Sequence, residues 1–577
     1  MIKFKNIISA FIITILGASC SFFEVEPQVI CSETFYNTED EVLYGLAGVY
    51  GVMSNEAFYG NYYSLMCSNI DDLSYYNRAT TTNHTQTYTH DASSTEIYAA
   101  WTEIYKGILN ANAFMEAVVK SEFDKDGKYY NEARFLRAYY HFLLAQAWGD
   151  VPLKTKAATS VDDVMSPATS QYDVLKFAAD EMEACVALAD SLVTNAPSRV
   201  TKSAVRGILA RVYLFMAGES VTGPDKPECY RKAMEHAESV IKSTRHSLNP
   251  SYSQVFINMI SDEYDREYNE SIWEVDFLGN RQSSDLWSNG RIGDLIGLQS
   301  SASENYTSFA CNYSYAQYDG SLKLWDLYWI EDRTDTERKN HAEITDSRQA
   351  WNLPPYNYAG STAEKYKWPL EKDADGKYIK EKLNIPASLE KAPYVYAGYS
   401  SLDTLTVAQG GRNCGKWRRE VQYEGVLDSK RLYTGINFPI LRYSDVLLMY
   451  AEAALEYSGI PSQEAYDCVK AVRDRAGVAT KEYSSYNVDT FRQLVRNERG
   501  REFCFEATRK YDLIRWGVFV EAMNSYYKYS TDTRWASSPK AAYAAAIGSA
   551  VQQKHVLLPI PNVEIGVNRQ LKQNSLW

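Results

Sequence analysis

Apolar residues recur at helical spacing in two blocks of this chain. In residues 101–119, Ile104, Ile108, Ala111 and Met115 follow one another at intervals of three or four, which predicts an α-helix with one buried face. The same period predicts helices over residues 132–150, 170–189, 201–217 and 229–242 in the first block, and over 443–457, 463–476 and 488–506, continuing to 516, in the second.

Two of the predicted helices alternate small and large residues across a short loop. They read KSAVRGILARVYLFMAG at 202–218 and YRKAMEHAESVIK at 230–242, and their Ala and Gly positions allow two helices to nest closely. This pattern is typical of tetratricopeptide-type hairpins, although the chain has no strict repeat of about 34 residues. We therefore predict a mainly α protein that contains hairpins of this type.

Three stretches lack the helical period. Residues 276–428 are rich in Ser, Asn, Gly, Tyr and Trp, and a structureless loop of that length is implausible in a compact protein. We therefore predict a loop-rich subdomain of short strands and helices there, inserted in the helical array. Shorter irregular stretches cover 55–95 and 526–551. The predicted organisation is an N-terminal helical region at 20–275, which includes the irregular loop 55–95, then the subdomain at 276–428 and a C-terminal helical region at 429–577.

The first residues resemble a secretion signal. Two lysines precede an apolar run at 7–16, which is too short to span a bilayer of about 30 Å, and small residues then lead to Cys20. This order is typical of a bacterial lipoprotein signal peptide at 1–19, with Cys20 as the lipidated first residue of the mature chain. The alternative is a plain secretory signal in which Cys20 is incidental, because Leu16 lies four residues before the cysteine rather than the usual three.

The amino-acid composition indicates a solvent-exposed binding surface. The 577 residues include 46 Tyr and 12 Trp against 20 Phe, and aromatics with a polar edge are favoured where one end of the ring is packed and the other meets solvent. The net charge of −13 argues against a nucleic-acid partner, because phosphate contacts need clustered Lys and Arg.

Motifs for catalysis or metal binding are missing from the sequence. The chain contains no H-E-x-x-H and no G-x-S-x-G, and GRNCGKW at 411–417 lacks the Ser or Thr of a phosphate loop. Two E-x-D-x-D-G-K segments, at 122–128 and 371–377, lack the twelfth-position Glu of a calcium loop and predict Asp-Gly turns. Adjacent carboxylates such as Asp71 and Asp72 are interpreted as solvated surface, and the scattered cysteines as buried free thiols rather than zinc ligands. No cofactor and no bound metal are predicted.

Six stretches of the chain, in order and in register, resemble the SusD/RagB family of outer-membrane lipoproteins of the Bacteroidetes. They are FYNTEDEVLYGLAGVYG (35–51), WTEIYKGILNAN (101–112), EARFLRAYYHFLLAQAWGDVPL (132–153), FPILRYSDVLLMYAEAALE (438–456), NERGREFCFEATRKYDLIRWG (497–517) and LLPIPNVEIGVNRQLKQN (557–574). The chain departs from the family in its last residues, which read QNSLW instead of Gln-Asn-Pro-Gly and an aromatic. The acidic run that often follows the lipidated cysteine is limited here to Glu24 and Glu26.

The resemblance implies an α-superhelix of tetratricopeptide-like hairpins with a loop-rich face that binds ligand. It also implies a non-enzymatic protein, lipid-anchored in the cell outer membrane and facing the exterior. Such a protein captures oligosaccharides and delivers them to a SusC-like TonB-dependent transporter. Two alternatives stay open: a RagB-type peptide-binding component of a peptide importer, and a surface glycosidase with carboxylates that face each other across the substrate.

A sugar site needs flat aromatic faces for stacking and polar side chains for hydrogen bonds. The family places its ligand contacts on loops of the two long irregular regions, although no motif identifies individual positions. The candidates for glycan stacking and hydrogen bonding are Tyr75, Tyr76, Asn77, Arg78, Trp287, Tyr318, Trp325, Trp329, Trp351 and Tyr356. Packing within the subdomain is the alternative for each aromatic, and Trp325 and Trp329 have the spacing of a helical core stripe.

Other aromatic and basic residues lie in the matching helical motifs, where we expect structural roles. The expected core residues are Trp101, Trp148 and Trp516, and the expected ion-pair partners are Arg134, Arg137, Arg499 and Arg501.

Overall fold

The computed structural model describes residues 36–78, 84–158, 160, 165–189, 196–278, 288, 290–300, 313–328, 346–354, 374, 411–419, 433–526 and 539–577. The predicted mainly α fold is confirmed. The helices are α1 (Glu39–Tyr50), α2 (Thr95–Val118), α3 (Lys128–Trp148), α4 (Gln171–Glu183), α5 (Lys202–Met216), α6 (Lys226–Lys242), α7 (Tyr252–Ile260), α8 (Leu322–Leu327), α9 (Ser347–Asn352), α10 (Tyr443–Ser458), α11 (Gln463–Arg475), α12 (Val488–Phe503), α13 (Arg509–Arg515), α14 (Phe519–Asn524), α15 (Pro539–Ala550) and α16 (Asn562–Val567). The strands are β1 (Ser74–Tyr76), β2 (Ser271–Val275), β3 (Tyr318–Gly320) and β4 (Phe438–Arg442).

The apolar period locates most helices to within a few residues. The structure has α3 at Lys128–Trp148 where the sequence predicts 132–150, and α10 at Tyr443–Ser458 where it predicts 443–457. Gly149 caps α3 with a φ of 79°, a conformation that glycine adopts without the steric penalty of a side chain. The helix therefore ends where the sequence places its glycine.

Neighbouring helices pack as hairpins around a shared apolar core. Helix α2 packs on α3, α3 on α4 and α5 on α6, while α10 packs on both α6 and α11. A Cβ at Gly207 of α5 would lie 2.3 Å from the side chain of Leu441, so the glycine allows β4 to lie directly against this helix. Trp101, Trp148 and Trp516 are buried in the core, as predicted.

Strands β2 and β4 pair with each other on either side of the predicted subdomain. They pair antiparallel, with Ser271 opposite Arg442 at one end and Val275 opposite Phe438 at the other. The predicted subdomain at 276–428 lies between these two strands in the sequence. Residues 276 and 437, which adjoin the paired strands, therefore lie close together.

Two of the stretches predicted to be irregular contain regular structure. Residues 55–95 include short π-helical turns at Glu56–Gly60 and Tyr62–Cys67 as well as strand β1. Residues 526–551 carry α15, which reads PKAAYAAAIGSA, so the prediction was wrong there. Ala has the highest intrinsic helix propensity, and a run of it forms a helix without the apolar period from which the other helices were predicted.

The arginines of the helical motifs form ion pairs, as predicted. The pairs are Arg134–Glu181 and Arg137–Glu181 in the first block, and Arg499–Asp445, Arg499–Asp512 and Arg501–Glu498 in the second.

A larger buried ion network joins the loop-rich segments to the scaffold. Arg442 at the end of β4 lies 2.9 Å from Glu502 and 2.8 Å from Glu506. From the loop-rich side, Arg348 reaches Glu502 at 2.9 Å and Lys416 reaches Glu506 at 2.7 Å. Burial alone would raise the pKa of Glu502, but the arginines around it hold that pKa well below its usual range. The network is therefore charged, and it fixes the segments 346–354 and 411–419 to this end of α12.

The described cysteines are buried and unpaired, which confirms the prediction of free thiols for Cys67, Cys185, Cys229, Cys414, Cys468 and Cys504. Cys20 and the predicted signal peptide at 1–19 lie outside the described residues, as do Cys31 and Cys311. Within the described part of the chain, no helix has both the length and the apolar character needed to cross a bilayer.

The first E-x-D-x-D-G-K segment forms the predicted turn. Gly127 has a φ of 69°, and the Asp124 carboxylate accepts the backbone N–H groups of Tyr129 and Tyr130 at 2.8 and 2.7 Å. The carboxylate thus satisfies N–H groups in the first turn of α3. The second segment lies outside the described residues apart from Ala374. Among the residues described, no group of His, Cys, Asp and Glu is suited to hold a metal ion.

Candidate ligand-binding site

The two long irregular regions meet in a short antiparallel ladder. Strand β1 comes from the first region and β3 from the second, with Tyr75 opposite Asp319 and Tyr76 opposite Tyr318. A bridge between Asp319 and Asn413 adds a third segment. These segments are far apart in sequence, and the ladder brings them to one place on the molecule.

Aromatic rings and one guanidinium group form a partly exposed surface beside this ladder. We call Tyr76, Arg78, His84, Tyr313 and Tyr315 the ladder face. Tyr76 stacks on His84 with ring centres 5.2 Å apart, and Tyr313 meets Tyr315 edge to face at 4.8 Å. The Arg78 Nη2 donates to the Tyr315 carbonyl at 2.8 Å, which links the two irregular regions, and Tyr315 is 37% exposed.

The ladder face offers stacking surfaces and hydrogen bonds rather than activated groups. Burial raises the pKa of Tyr76, so its hydroxyl remains protonated at neutral pH. Burial lowers the pKa of His84, so its ring is neutral there. Exposed Arg78 is the cationic side chain of this set, and a guanidinium group carries five N–H donors.

A buried carboxylate holds the segments under the ladder face together. Asp319 is 0% exposed, and its Oδ1 accepts from the side-chain amides of Asn77 at 2.8 Å and Asn413 at 2.6 Å. Its Oδ2 accepts from the Tyr75 hydroxyl at 3.4 Å and from the Lys540 ammonium at 2.6 Å. Because Lys540 belongs to α15, this one carboxylate connects β1, β3, the 411–419 segment and the alanine-rich helix.

The turn before β1 is built on two buried carboxylates. Asp71 is 1% and Asp72 0% exposed, so the expectation of a solvated surface was wrong. Burial would raise the pKa of Asp72, but Arg509 and Lys323 pair with it and hold that pKa well below its usual range. Burial and the neighbouring Asp72 raise the pKa of Asp71 to about 7, and its Oδ1 accepts the Ser74 N–H at 3.1 Å. The two cations, Arg509 and Lys323, lie far from Asp72 in the sequence. The sequence around Asp71 and Asp72 therefore does not show that they are paired and buried.

Several of the predicted contact residues are enclosed rather than accessible: Tyr75 and Tyr318 at 0% exposure, Trp351 at 1% and Trp325 at 2%. Guanidinium groups cover the two tryptophans. The Arg412 carbon lies 4.2 Å from the Trp325 ring centre, and the Arg418 carbon lies 3.7 Å from that of Trp351. An enclosed ring presents no face to a sugar, so in this arrangement these side chains pack in the protein interior. That is the packing role left open for each aromatic.

The remaining candidates divide between the surface and the undescribed residues. Asn77 turns its amide inward to the Ala316 carbonyl at 2.7 Å and to Asp319, whereas Tyr76 and Arg78 reach solvent. Trp287, Trp329 and Tyr356 lie outside the described residues, and their role in ligand contact stays a prediction.

A second partly exposed aromatic patch adjoins the ladder face and was not predicted. The Tyr433 hydroxyl donates to Glu56 at 3.0 Å, and the Arg291 guanidinium lies 5.8 Å from the Tyr433 ring centre and donates to Asp294 at 2.8 Å. Burial and Glu56 raise the pKa of Tyr62 in the same patch. The Asp294 carbonyl accepts the backbone N–H of Ala316, which joins this patch to the segment that carries the ladder face. Tyr62 lies within the irregular stretch 55–95 and Tyr433 lies five residues after the predicted subdomain ends at 428. Nothing in the sequence distinguishes either of them from a tyrosine that packs in the core.

Comparison with known families gives a consistent assignment. Residues 269–577 match the model of the SusD family, and residues 21–214 match a second model described as starch-binding and associating with the outer membrane. The chain belongs to the SusD family. The predicted resemblance is thereby confirmed.

Individual relatives are similar over almost the whole chain. The SusD-like protein P25 of Formosa agariphila is 24% identical over 99% of this chain and 98% of its own length. The crystal structure of a SusD homologue from Bacteroides thetaiotaomicron superposes with a TM-score of 0.75 at 24% identity, covering 95% of this chain and 98% of that one. A laminarin-binding SusD-like protein superposes with a TM-score of 0.65 at 18% identity, covering 94% of this chain and 100% of the other. The structural likeness at these identities establishes the fold.

Proposed function

We propose that this SusD-family protein captures oligosaccharides outside the cell and delivers them to a SusC-like TonB-dependent transporter in the outer membrane. The observation that carries the proposal is the β1–β3 ladder, since it joins the two irregular regions and presents Tyr76, Arg78 and Tyr315 together. The starch-binding description of the matching family model and the laminarin-binding neighbour support a glycan as the ligand. Cys20 is the proposed lipid anchor, which would hold the protein at the outer membrane with its body facing the exterior.

The proposed binding mode follows from the chemistry of the ladder face. Sugar rings stack their apolar C–H faces on Tyr76 and Tyr315, while Arg78 and the tyrosine hydroxyls bond the sugar hydroxyls. A few partly exposed rings give modest affinity, because each ordered side chain and the ligand itself lose freedom on binding. Modest affinity suits a protein that must release its ligand to a transporter. The role is binding without catalysis.

Substitution of the ladder face tests the site. We expect Tyr76→Ala and Tyr315→Ala each to weaken glycan binding by about ten-fold, which corresponds to about 1.4 kcal/mol, and the triple variant with Arg78→Ala to abolish retention on a glycan matrix. Binding is measured by affinity electrophoresis and isothermal titration calorimetry. Tyr44→Ala is the matched control, because Tyr44 is 68% exposed on α1 and lies outside the ladder face. Unchanged binding in the triple variant would contradict the site.

The identity of the ligand needs a broader comparison. The wild-type protein is incubated with a panel of labelled glycans and peptides, and we expect retention of glycans. Binding of peptides alone would favour the RagB-type role, and the appearance of new reducing ends during incubation with polysaccharide would contradict a non-enzymatic protein. Delivery is tested in cells that produce the wild type or the triple variant. Equal uptake of the labelled glycan by both would contradict a role before import.

A further inference from the structure

A buried cluster of basic and aromatic side chains lies where the C-terminal tail meets the scaffold. The ring centres of His90 and His555 are 5.2 Å apart, and the Trp577 ring lies 5.2 Å from the first and 5.4 Å from the second. Tyr88 lies 5.4 Å from His555, and the Lys510 ammonium is 5.3 Å from the Tyr88 ring centre. All of these apart from Trp577 are at most 4% exposed. The cluster is separate from the ladder face and takes no part in the proposed glycan binding.

The two imidazoles in this cluster have unused hydrogen-bonding atoms. Both ring nitrogens of His90 and the Nε2 of His555 are buried without a hydrogen-bond partner among the described residues. Such groups are rare in folded proteins, because water solvates them in the unfolded chain, and each one in a native structure calls for an explanation. A small bound species between the rings would supply the missing partner.

The tautomer of His555 decides what that species can be. The backbone N–H of Gln552 donates to His555 Nδ1 at 2.9 Å, and burial lowers the pKa of this imidazole to about 3, so the ring is neutral. In a neutral ring whose Nδ1 accepts, Nε2 carries the proton. The unpartnered Nε2 is then a donor with no free lone pair. It cannot ligate a metal ion, and it requires an acceptor.

The charges around the cluster favour an anion over a water molecule. Lys510 donates to the Cys67 carbonyl at 2.7 Å and lies over the Tyr88 and Phe519 rings, but within the described part of the chain it forms no ion pair with a carboxylate. Burial lowers the pKa of Lys510 to about 8, which leaves most of the ammonium charged at neutral pH. A second cation, Lys554, lies 4.2 Å from the Trp577 ring centre. The Asp71 carboxylate also acts on Lys510, but its raised pKa of about 7 leaves it only partly ionised at neutral pH. A buried ammonium that lacks a paired counter-ion is costly, and water would not neutralise it.

We propose that His90, His555 and Lys510 enclose a binding site for a small anion such as chloride. The anion accepts the Nε2–H of His555 and one N–H of His90 and neutralises Lys510. Because the Trp577 ring packs on both imidazoles, the anion also stabilises the attachment of the C-terminal tail. The tail is held independently by Gln573 and Asn574, whose amides bond Ile560 and Trp148 backbone groups, so the anion adds to an existing attachment.

Bromide identifies the occupant directly in the unmodified protein. Crystals of the wild type are grown in sodium bromide, and data are collected at the bromine absorption edge. We expect an anomalous peak in contact with both imidazoles and the Lys510 ammonium. Density without an anomalous peak, or no density between the two rings, would overturn the proposal in favour of water or an empty space.

Thermal unfolding tests the same site in solution. We expect sodium chloride and sodium bromide to raise the Tm of the wild type by ~1–2 °C relative to sodium gluconate at equal ionic strength, and Lys510→Met and His90→Phe to lose this difference. Lys176→Met is the matched control, since Lys176 is an exposed lysine on α4. A halide response in Lys510→Met equal to that of the wild type would refute the site. If that variant does not fold, His90→Phe and the bromide crystals decide.

Discussion

At the scale of single residues, Asp71 and Asp72 have identical side chains but different pKa values, because the fold gives them different partners. Asp72 has two cationic partners and stays ionised, whereas Asp71 has backbone N–H partners and an ionised neighbour. The pKa of Asp71 is accordingly raised from 3.8 to about 7. Its protonation state changes in the neutral range, immediately before the strand that leads to Tyr76 and Arg78.

The raised pKa of Asp71 predicts a stability that depends on pH. Folded Asp71 keeps its proton up to about pH 7, whereas in the unfolded chain it is lost near pH 3.8, so folding is favoured most at low pH. This contribution is lost as the pH rises from about 4 to 7, by an amount on the order of 4 kcal/mol at about 1.4 kcal/mol per pKa unit. Asp71→Asn keeps an acceptor for the same N–H groups. In this variant we expect the part of the pH dependence of the unfolding free energy that Asp71 contributes to disappear.

The measurement for Asp71 is the difference in free energy of unfolding between variant and wild type, from denaturant titrations at pH 4.5 and pH 8. Exposed Asp126→Asn is the control. The variant is compared with the wild type at each pH because other buried groups also change their protonation state and so affect the stability of both proteins. Burial lowers the pKa values of His90 and His555, so their contribution to stability falls as the pH drops below 6.5. A difference that does not change with pH would refute the assignment to Asp71.

At the scale of elements, the ladder under the candidate site is short. Strands β1 and β3 contain three residues each, and an isolated pair of strands of that size has little stability of its own in water. The hydrogen bonds to Asp319 and the ion pair to Lys540 supply the missing support. Helix α15 thereby takes part in the candidate site although its side chains lie outside the ladder face.

Removal of the cation on α15 should loosen the ladder. In Lys540→Met, buried Asp319 loses its cationic partner, at a cost of about 1–3 kcal/mol because Lys540 is itself partly exposed. We expect faster amide hydrogen exchange in residues 74–78 and 318–320, and partial recovery in the double variant Asp319→Asn with Lys540→Met. Lys470→Met is the control, since it removes an exposed lysine paired within one helix. Equal exchange in Lys540→Met and the wild type would show that α15 does not support the ladder.

The elements also show what the sequence could and could not predict. Helices such as α3 and α10 were predicted because each repeats apolar residues at helical spacing over several turns, and the structure buries both of them on nearly all sides. Helix α15 was missed because its alanines make no amphipathic period. The pairing of Tyr75 with Asp319 was out of reach, since three-residue strands carry little local signal and the partner lies in another region of the chain. For the same reason, the enclosed Trp325 and Trp351 could not be told apart from accessible aromatics.

At the scale of the whole molecule, the buried ion network joins its two kinds of structure. Glu502 and Glu506 receive Arg442 from the scaffold strand β4 and Arg348 and Lys416 from the loop-rich segments. Burial of charges is unfavourable by itself, so the network depends on every member having its partners. Damage at one position should therefore affect the attachment of the loop-rich segments as well as stability.

Loss of the central arginine tests this dependence. In Arg442→Met, Glu502 and Glu506 lose a shared cation, which should destabilise the protein by roughly 3–5 kcal/mol. We expect a lower Tm, and limited proteolysis should cut within 411–419 earlier than in the wild type. Arg231→Met is the control because it removes a partly exposed arginine paired within one helix. A Tm within error of the wild type would show that the network is dispensable.

The pairing of Val275 with Phe438 has a consequence for how such proteins diversify. Adjacent strands lie about 4.8 Å apart, so the long segment between them begins and ends almost at one point. A segment with such closely placed ends can change length between its anchored stretches without moving the helices, because β2 and β4 fix its ends while Arg348 and Lys416 hold 346–354 and 411–419 in place. Insertions between these anchored stretches can thus accumulate while the helical body is inherited unchanged, whereas an exchange of the whole segment must also supply partners for Glu502, Glu506 and strand β1.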